Sequence, residues 1–174
     1  MDNRTADELI VRTADGDMSA LEQLYNDLFR PVYAFVMTIV RDAHTAEDIT
    51  QDVFVKVCTR SSEFTPTGFG KAWIMRIARN LALNAVSRRR ETDGEDALEE
   101  LRAPERPEDS TITRLALAQA MRELSDDERR IITLHAAAGM TLAEIAETIE
   151  QPLGTVKWKH ASAMKILRGA VGDR

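Results

Sequence analysis

Lys71, Arg76, Arg79, Arg88, Arg89 and Arg90 stand in a stretch, 71–90, that holds no Asp or Glu. Such a run suits a row of phosphates, which Lys and Arg meet with charge and N–H donors. A solvated helix face would usually mix acids with its cations. A second basic group closes the chain, where residues 151–174 hold five cations and one acid. There Thr155, Lys157, Trp158, Lys159, Ser162 and Lys165 fall on the second helix of a predicted helix-turn-helix spanning Thr141 to Leu167. Polar groups near the start of such a helix can read base edges, and flanking cations can hold phosphates. The same pattern also suits a helical hairpin that only packs a core.

Covalent chemistry finds no comparable support. None of the serines has a Gly-x-Ser-x-Gly context, and neither a phosphate loop nor a dinucleotide fingerprint is present. His44, Asp48 and Asp52 share a helix face by spacing, yet one His with two helical carboxylates seldom holds a metal. His135 and His160 fit packing or surface positions, and Cys58 fits a buried, inert thiol. The expectation is a protein that is not an enzyme, without cofactor or metal.

The elements that must position these groups are helices. The 174 residues are 44% hydrophobic, 30% charged and only 5% aromatic, and no alternating strand pattern occurs. The predicted fold is all-α. A single Cys excludes an internal disulfide. The longest nearly apolar run, Val32 to Val40, would reach about 14 Å as a helix against roughly 30 Å of hydrocarbon, so no membrane insertion is expected. The start, MDNRTADELI, has neither the basic opening nor the apolar stretch of a secretory signal, which suits a cytoplasmic protein. The net charge of −6 disfavours nucleic acid for the chain as a whole. The two basic islands reverse that locally, and the acidic background points to a larger assembly that supplies affinity.

The stretch 91–109 carries nine acids, two cations, Gly94, Pro104 and Pro107, and reads as a flexible linker between a domain at 1–90 and another at 110–174. In the first domain, Thr5 or Asp7 can open a helix, Asp17 or Ser19 a second, Pro31 a third and Thr45 a fourth. A loop over Arg60–Phe69 precedes a long helix, Lys71–Ser87. In the second, a helix over Thr111–Leu124 is followed by two capping boxes, Ser125 with Glu128 and Thr141 with Glu144. The turn at Glu150–Gly154 then leads into a helix capped by Thr155.

Three motifs in order resemble those of a known family. Ala46-Glu-Asp-Ile-Thr-Gln-Asp-Val-Phe-Val-Lys-Val is similar to the polymerase-docking helix of extracytoplasmic-function sigma factors, minimal members of the sigma-70 family. Ala72-Trp-Ile-Met-Arg-Ile-Ala-Arg-Asn-Leu-Ala-Leu-Asn resembles their promoter-melting helix. Leu124-Ser-Asp-Asp-Glu-Arg with Gly154-Thr-Val-Lys resembles their second DNA-binding domain. The resemblance covers nearly the whole chain. It implies a dissociable, non-catalytic subunit that gives RNA polymerase its promoter.

Roles follow from it. Asp48, Gln51 and Asp52, on one helix face, would meet the coiled coil of the polymerase largest subunit; the spacing alone equally suits a solvated acidic face. Phe64, Thr65, Thr67 and Phe69 would form a pocket for an unstacked base of the minus-ten element. Lys71, Arg76 and Arg79 would hold phosphates, and Asn80 and Asn84 would read base edges. Trp73 fits a core anchor better than a stacking platform. Thr155, Lys157, Trp158, Lys159, Ser162 and Lys165 would address duplex minus-thirty-five DNA. The flap of the second-largest subunit and an anti-sigma protein are further implied partners. The chain departs from the family by carrying fewer arginines after Gly154-Thr-Val-Lys, and by placing Glu150 at a turn where Gly is common. A free-standing helix-turn-helix regulator and a sigma-like decoy remain open alternatives at this point.

Overall fold

The computed structural model describes residues 1–93 and 111–171, and every regular element among them is helical. The first unit comprises α1 (Asn3–Ala14), α2 (Met18–Val40), α3 (Ala43–Arg60) and α4 (Gly70–Asp93), with a short 3-10 turn at Ser61–Glu63. The second comprises α5 (Thr111–Glu123), α6 (Asp126–Ala138), α7 (Leu142–Ile149) and α8 (Leu153–Val171). The expected linker lies outside the described residues, except that 91–93 continue α4.

Local chemistry sets most boundaries. Asp17 opens α2 by accepting from the amides of Ser19 and Ala20. Hydrogen bonds from Ser19, Arg12 and Ala20 to this half-buried carboxylate hold its pKa down to about 2, the Ser19 hydroxyl contributing most and Arg12 next. Both expected capping boxes form, each with a reciprocal Ser/Thr–Glu pair. Gly139 ends α6 at φ 61°.

Four boundaries differ from the sequence expectation. Asp2, not Thr5 or Asp7, caps α1, accepting from the Thr5 amide at 2.8 Å. Asp42, not Thr45, caps α3. Pro31 lies inside α2 instead of opening a new helix. A proline there removes one donor, and the carbonyl it frees belongs to exposed Asp27, where water can satisfy it. Finally, α8 begins at Leu153, ahead of Thr155, because the Pro152 carbonyl already accepts from the Val156 amide at 3.1 Å.

The two units pack against each other. α2 lies between α1, α3 and α4 on one side and α6 on the other, while α7 lies on α4. One continuous cluster runs from Leu9 and Ile10 through Leu24, Phe35, Val36 and Ile74 to Ile131, Leu134, Met140, Ile145 and Ile149. This explains the apolar run Val32–Val40. A helix serving one core needs a single stripe, whereas the second half of α2, residues 31–40, is covered by both units and has no exposed residue. A smaller cluster, Ala120, Leu124, Ile132, Ala163 and Leu167, holds α5, α6 and α8 together. Arg129, 8% exposed, staples α5 to α6 by donating to the Met121 and Leu124 carbonyls at 3.0 and 2.8 Å.

Candidate nucleic-acid interface

The acidic face of α3 forms as the spacing predicts. Ile49, Val53, Phe54 and Val57 point into the core. Asp48, Gln51 and Asp52 are exposed on the opposite side. Next to Gln51 runs a shallow groove with Met18, Tyr25 and Val55 exposed along it. This apolar strip carries no local sequence signal, because it is shared between two helices.

The loop ahead of α4 is held by a residue far away in sequence. Buried Asp7 on α1 accepts from the Gly68 and Gly70 amides, each at 2.6 Å. Asn3 accepts from the Lys71 amide at 3.2 Å. The orphan amides at the start of α4 are thereby capped from another helix. Gly70 is required there, since a Cβ would lie 2.7 Å from the Asp7 Oδ1 and 2.8 Å from the Asp7 backbone nitrogen. Phe64 is half-buried and tilts against Trp73, with ring centroids 5.2 Å apart, so both rings brace the loop. Thr65, Thr67 and Phe69 stand exposed.

The polar side of α4 divides into two faces. Arg76, Asn80 and Asn84, spaced one turn apart, form an open stripe. Lys71 and Arg79 face the second unit. Lys71 is only 3% exposed, and its ammonium donates to the carbonyls of Ala138 and Gly139 at 3.0 and 3.2 Å. Arg79 Nη1 donates to Glu150 Oε2 at 3.0 Å. Arg88 and Arg89 are exposed. The structure thus assembles the expected cations on one helix but covers two of them.

In the helix-turn-helix formed by α7 and α8, Lys157, Lys165 and Trp158 are exposed, Trp158 at 69%. Thr155 and Ser162 are half-buried. Lys159 is drawn away from solvent into a bond with Asp127 and another to Gln151 Oε1 at 3.0 Å. Burial opposes ionisation of Asp127, but the Lys159 and Gln151 hydrogen bonds outweigh it and keep its carboxyl below the ordinary range. His160 packs edge-on to His135, with centroids 4.9 Å apart, and its buried Nε2 has no partner. Burial first, then His135 and Arg168, push its pKa below the usual imidazole value. Glu150 occupies the turn at φ 57°. None of these long-range partners carries a local sequence signal.

Two family profiles match the chain. Sigma-70 region 2 matches residues 24–92 and Sigma-70, region 4 matches residues 114–167. Over 174 aligned positions the chain is 32% identical to the ECF RNA polymerase sigma factor BldN of Streptomyces coelicolor, covering 95% of this chain and 66% of BldN. It is 26% identical to the ECF RNA polymerase sigma factor SigK of Mycobacterium tuberculosis, covering 95% of this chain and 92% of SigK. The fold is shared with two solved proteins. One is the sigma factor RpoE from Bartonella quintana, crystallised with the anti-sigma factor NepR: TM-score 0.71, 24% identity, 88% of this chain and 98% of that one. The other is CnrH, in complex with the cytosolic domain of CnrY: TM-score 0.67, 21% identity, 95% and 96%.

Proposed function

We infer how this molecule works from one premise: the chain belongs to the sigma-70 family, as an RNA polymerase sigma factor of the extracytoplasmic-function type. It directs core polymerase to promoters and assists DNA melting, with no catalysis of its own. Its partners are core polymerase, promoter DNA and an anti-sigma protein. No described helix is long and apolar enough to cross a membrane, and a protein that works on the transcription machinery does so in the cytoplasm. The observation that carries this function is the order of its parts: a region 2 segment, then a region 4 segment, within one chain.

Residue roles follow from side-chain chemistry and the family, although Lys71, Arg79 and Lys159 are engaged within the chain in this structure. Asp48, Gln51 and Asp52 dock on the coiled coil of the largest polymerase subunit, and the Met18–Tyr25–Val55 strip beside them supplies apolar contact. An acidic rim around an apolar centre suits a basic coiled coil. The second unit meets the flap of the second-largest subunit. Melting requires no bond breaking. It requires that an unstacked base and its strand be held well enough to offset a few kcal/mol of unstacking. Phe64, Thr65, Thr67 and Phe69 supply the base contacts. Asn80 and Asn84 read edges, while Lys71, Arg76 and Arg79 hold the strand. Thr155, Lys157, Trp158, Lys159, Ser162 and Lys165 address the minus-thirty-five duplex. With few arginines there, specificity leans on polar and apolar contacts instead of bidentate guanine readout.

The test is transcription in vitro from a promoter library with purified bacterial core polymerase. A sigma factor yields discrete start sites that depend on the added chain. Discrete duplex binding without polymerase, and no transcript with it, would mark a free-standing regulator instead.

A further inference from the structure

The outward face of α8 is short of the side chains that usually read bases. Buried Val156, Ala163 and Leu167 fix the inner side of the helix. At about 3.6 residues per turn, the opposite line holds Gly154, Trp158, Ala161 and Lys165, all exposed. Exposed Lys157 and Arg168 flank that line on one side, and half-buried Thr155 and Ser162 on the other. Polar groups nearby are already committed within the chain. Lys159 bonds Asp127 and donates to Gln151. Ser162 donates to Glu128, helping to hold that carboxyl below its ordinary range. From Leu153 to Lys165 the chain carries no Arg, Asn or Gln, the side chains that grip guanine or adenine with two hydrogen bonds.

What remains for reading is an indole 69% exposed, with Ala161 one turn further on. Gly154 leaves the approach to it open, since a Cβ there would meet nothing within 4 Å. The chemistry of this pair selects a base. In the major groove thymine presents a methyl group with the O4 acceptor beside it. An indole supplies a large apolar face and one N–H donor, and no acceptor. Cytosine offers the reverse, an amino donor and no methyl, and guanine offers acceptors without a methyl. Side chains one turn apart on a helix stand about 5–6 Å from each other. Successive bases of one strand rise about 3.4 Å, so Trp158 and Ala161 can cover the methyls of two neighbouring thymines. Lys157 and Arg168 then lie where phosphates border the groove.

We propose that Trp158, seconded by Ala161, is the specificity-determining contact of the second unit, reading the methyl and O4 of one or two adjacent thymines in duplex DNA. This rests on the minus-thirty-five role given above to α8 and goes beyond it by naming the base and the groups read.

The test uses the full chain bound to purified bacterial core polymerase. Transcription from a library randomised over the minus-thirty-five element should enrich thymine at one or two neighbouring positions with the parent, and lose that enrichment with Trp158→Ala. Deoxyuridine is then placed at those positions, which removes the methyl and nothing else. The parent should lose about fourfold in promoter affinity per methyl, whereas Trp158→Ala should lose none. Trp158→Phe keeps an apolar ring but has no N–H. It should still tell thymine from deoxyuridine, while discriminating less between thymine and 5-methylcytosine. Absence of thymine enrichment, or an equal deoxyuridine loss in parent and Trp158→Ala, overturns the proposal. A Trp158→Ala variant that loses affinity for core polymerase alone makes the indole a protein contact and overturns it too. A parent that yields no discrete start sites strikes the sigma function itself, and this proposal with it.

Discussion

Single side chains here are set by partners remote in sequence. Asp7 satisfies two loop amides, so Asp7→Ala leaves the buried Gly70 donor unpaired at about 1–3 kcal/mol, while the exposed Gly68 amide can turn to water. Urea unfolding of that variant is expected to show the loss, and single-stranded DNA binding should weaken as the loop before α4 loosens. His160 gives a pH dependence whose sign is fixed. Its folded pKa is below the unfolded value near 6.5, so the unfolded chain binds more protons between the two. Stability is therefore full above about pH 6.5 and falls as the pH drops through the folded value. His135 and Arg168 add to the effect, and His160→Gln should flatten the fall in urea midpoint between about pH 7 and 5. Asp17 acts in the acid range. With a folded pKa of about 2, its contribution is present above the unfolded value near 3.8 and lost as the pH falls toward 2.

Elements show which residues a helix needs and which it lends. α4 starts at Gly70 because nothing larger fits against Asp7; Gly70→Ala should cost about 1–3 kcal/mol by overpacking, read as a lower thermal midpoint. α3 keeps its docking face free of the core, so replacing Asp48, Gln51 and Asp52 with Ala should leave helicity intact. Affinity for core polymerase should drop tenfold or more, about 1.4 kcal/mol, in a direct binding assay. On α4, Asn80→Ala should reduce use of the minus-ten element roughly tenfold while duplex minus-thirty-five binding is unchanged; equal loss at both elements would contradict the division of labour. Much of this was legible in one dimension. Capping boxes, the Gly139 terminus and the i, i+3, i+4 spacing of α3 are local codes, readable because a helix end depends on three or four neighbouring residues. Pro31 was misread as a helix start for the same reason: local propensity has no knowledge that packing on both sides of α2 holds that helix together through a missing hydrogen bond.

At the scale of the molecule, the sequence divides charge into two cationic islands, and the fold sets one of them under guard. Closure is expected to weaken as salt rises, because the Arg41–Asp126 and Arg79–Glu150 pairs are partly exposed and screened. Scattering at about 0.05 and 0.5 M salt measures this. An unchanged radius would assign closure to the apolar contact alone. The chain's residues alone determined the helical class, most helix ends, the two cationic helices and the family motifs, since each depends on periodicity and neighbours within a turn or two. Only the tertiary structure decided that Lys71 and Arg79 are covered, that Lys159 is bound to Asp127, and that Glu150 reaches Arg79 from its glycine-like turn. Those pairings join residues up to 71 positions apart, and their free energies exist only once two separate apolar surfaces have met.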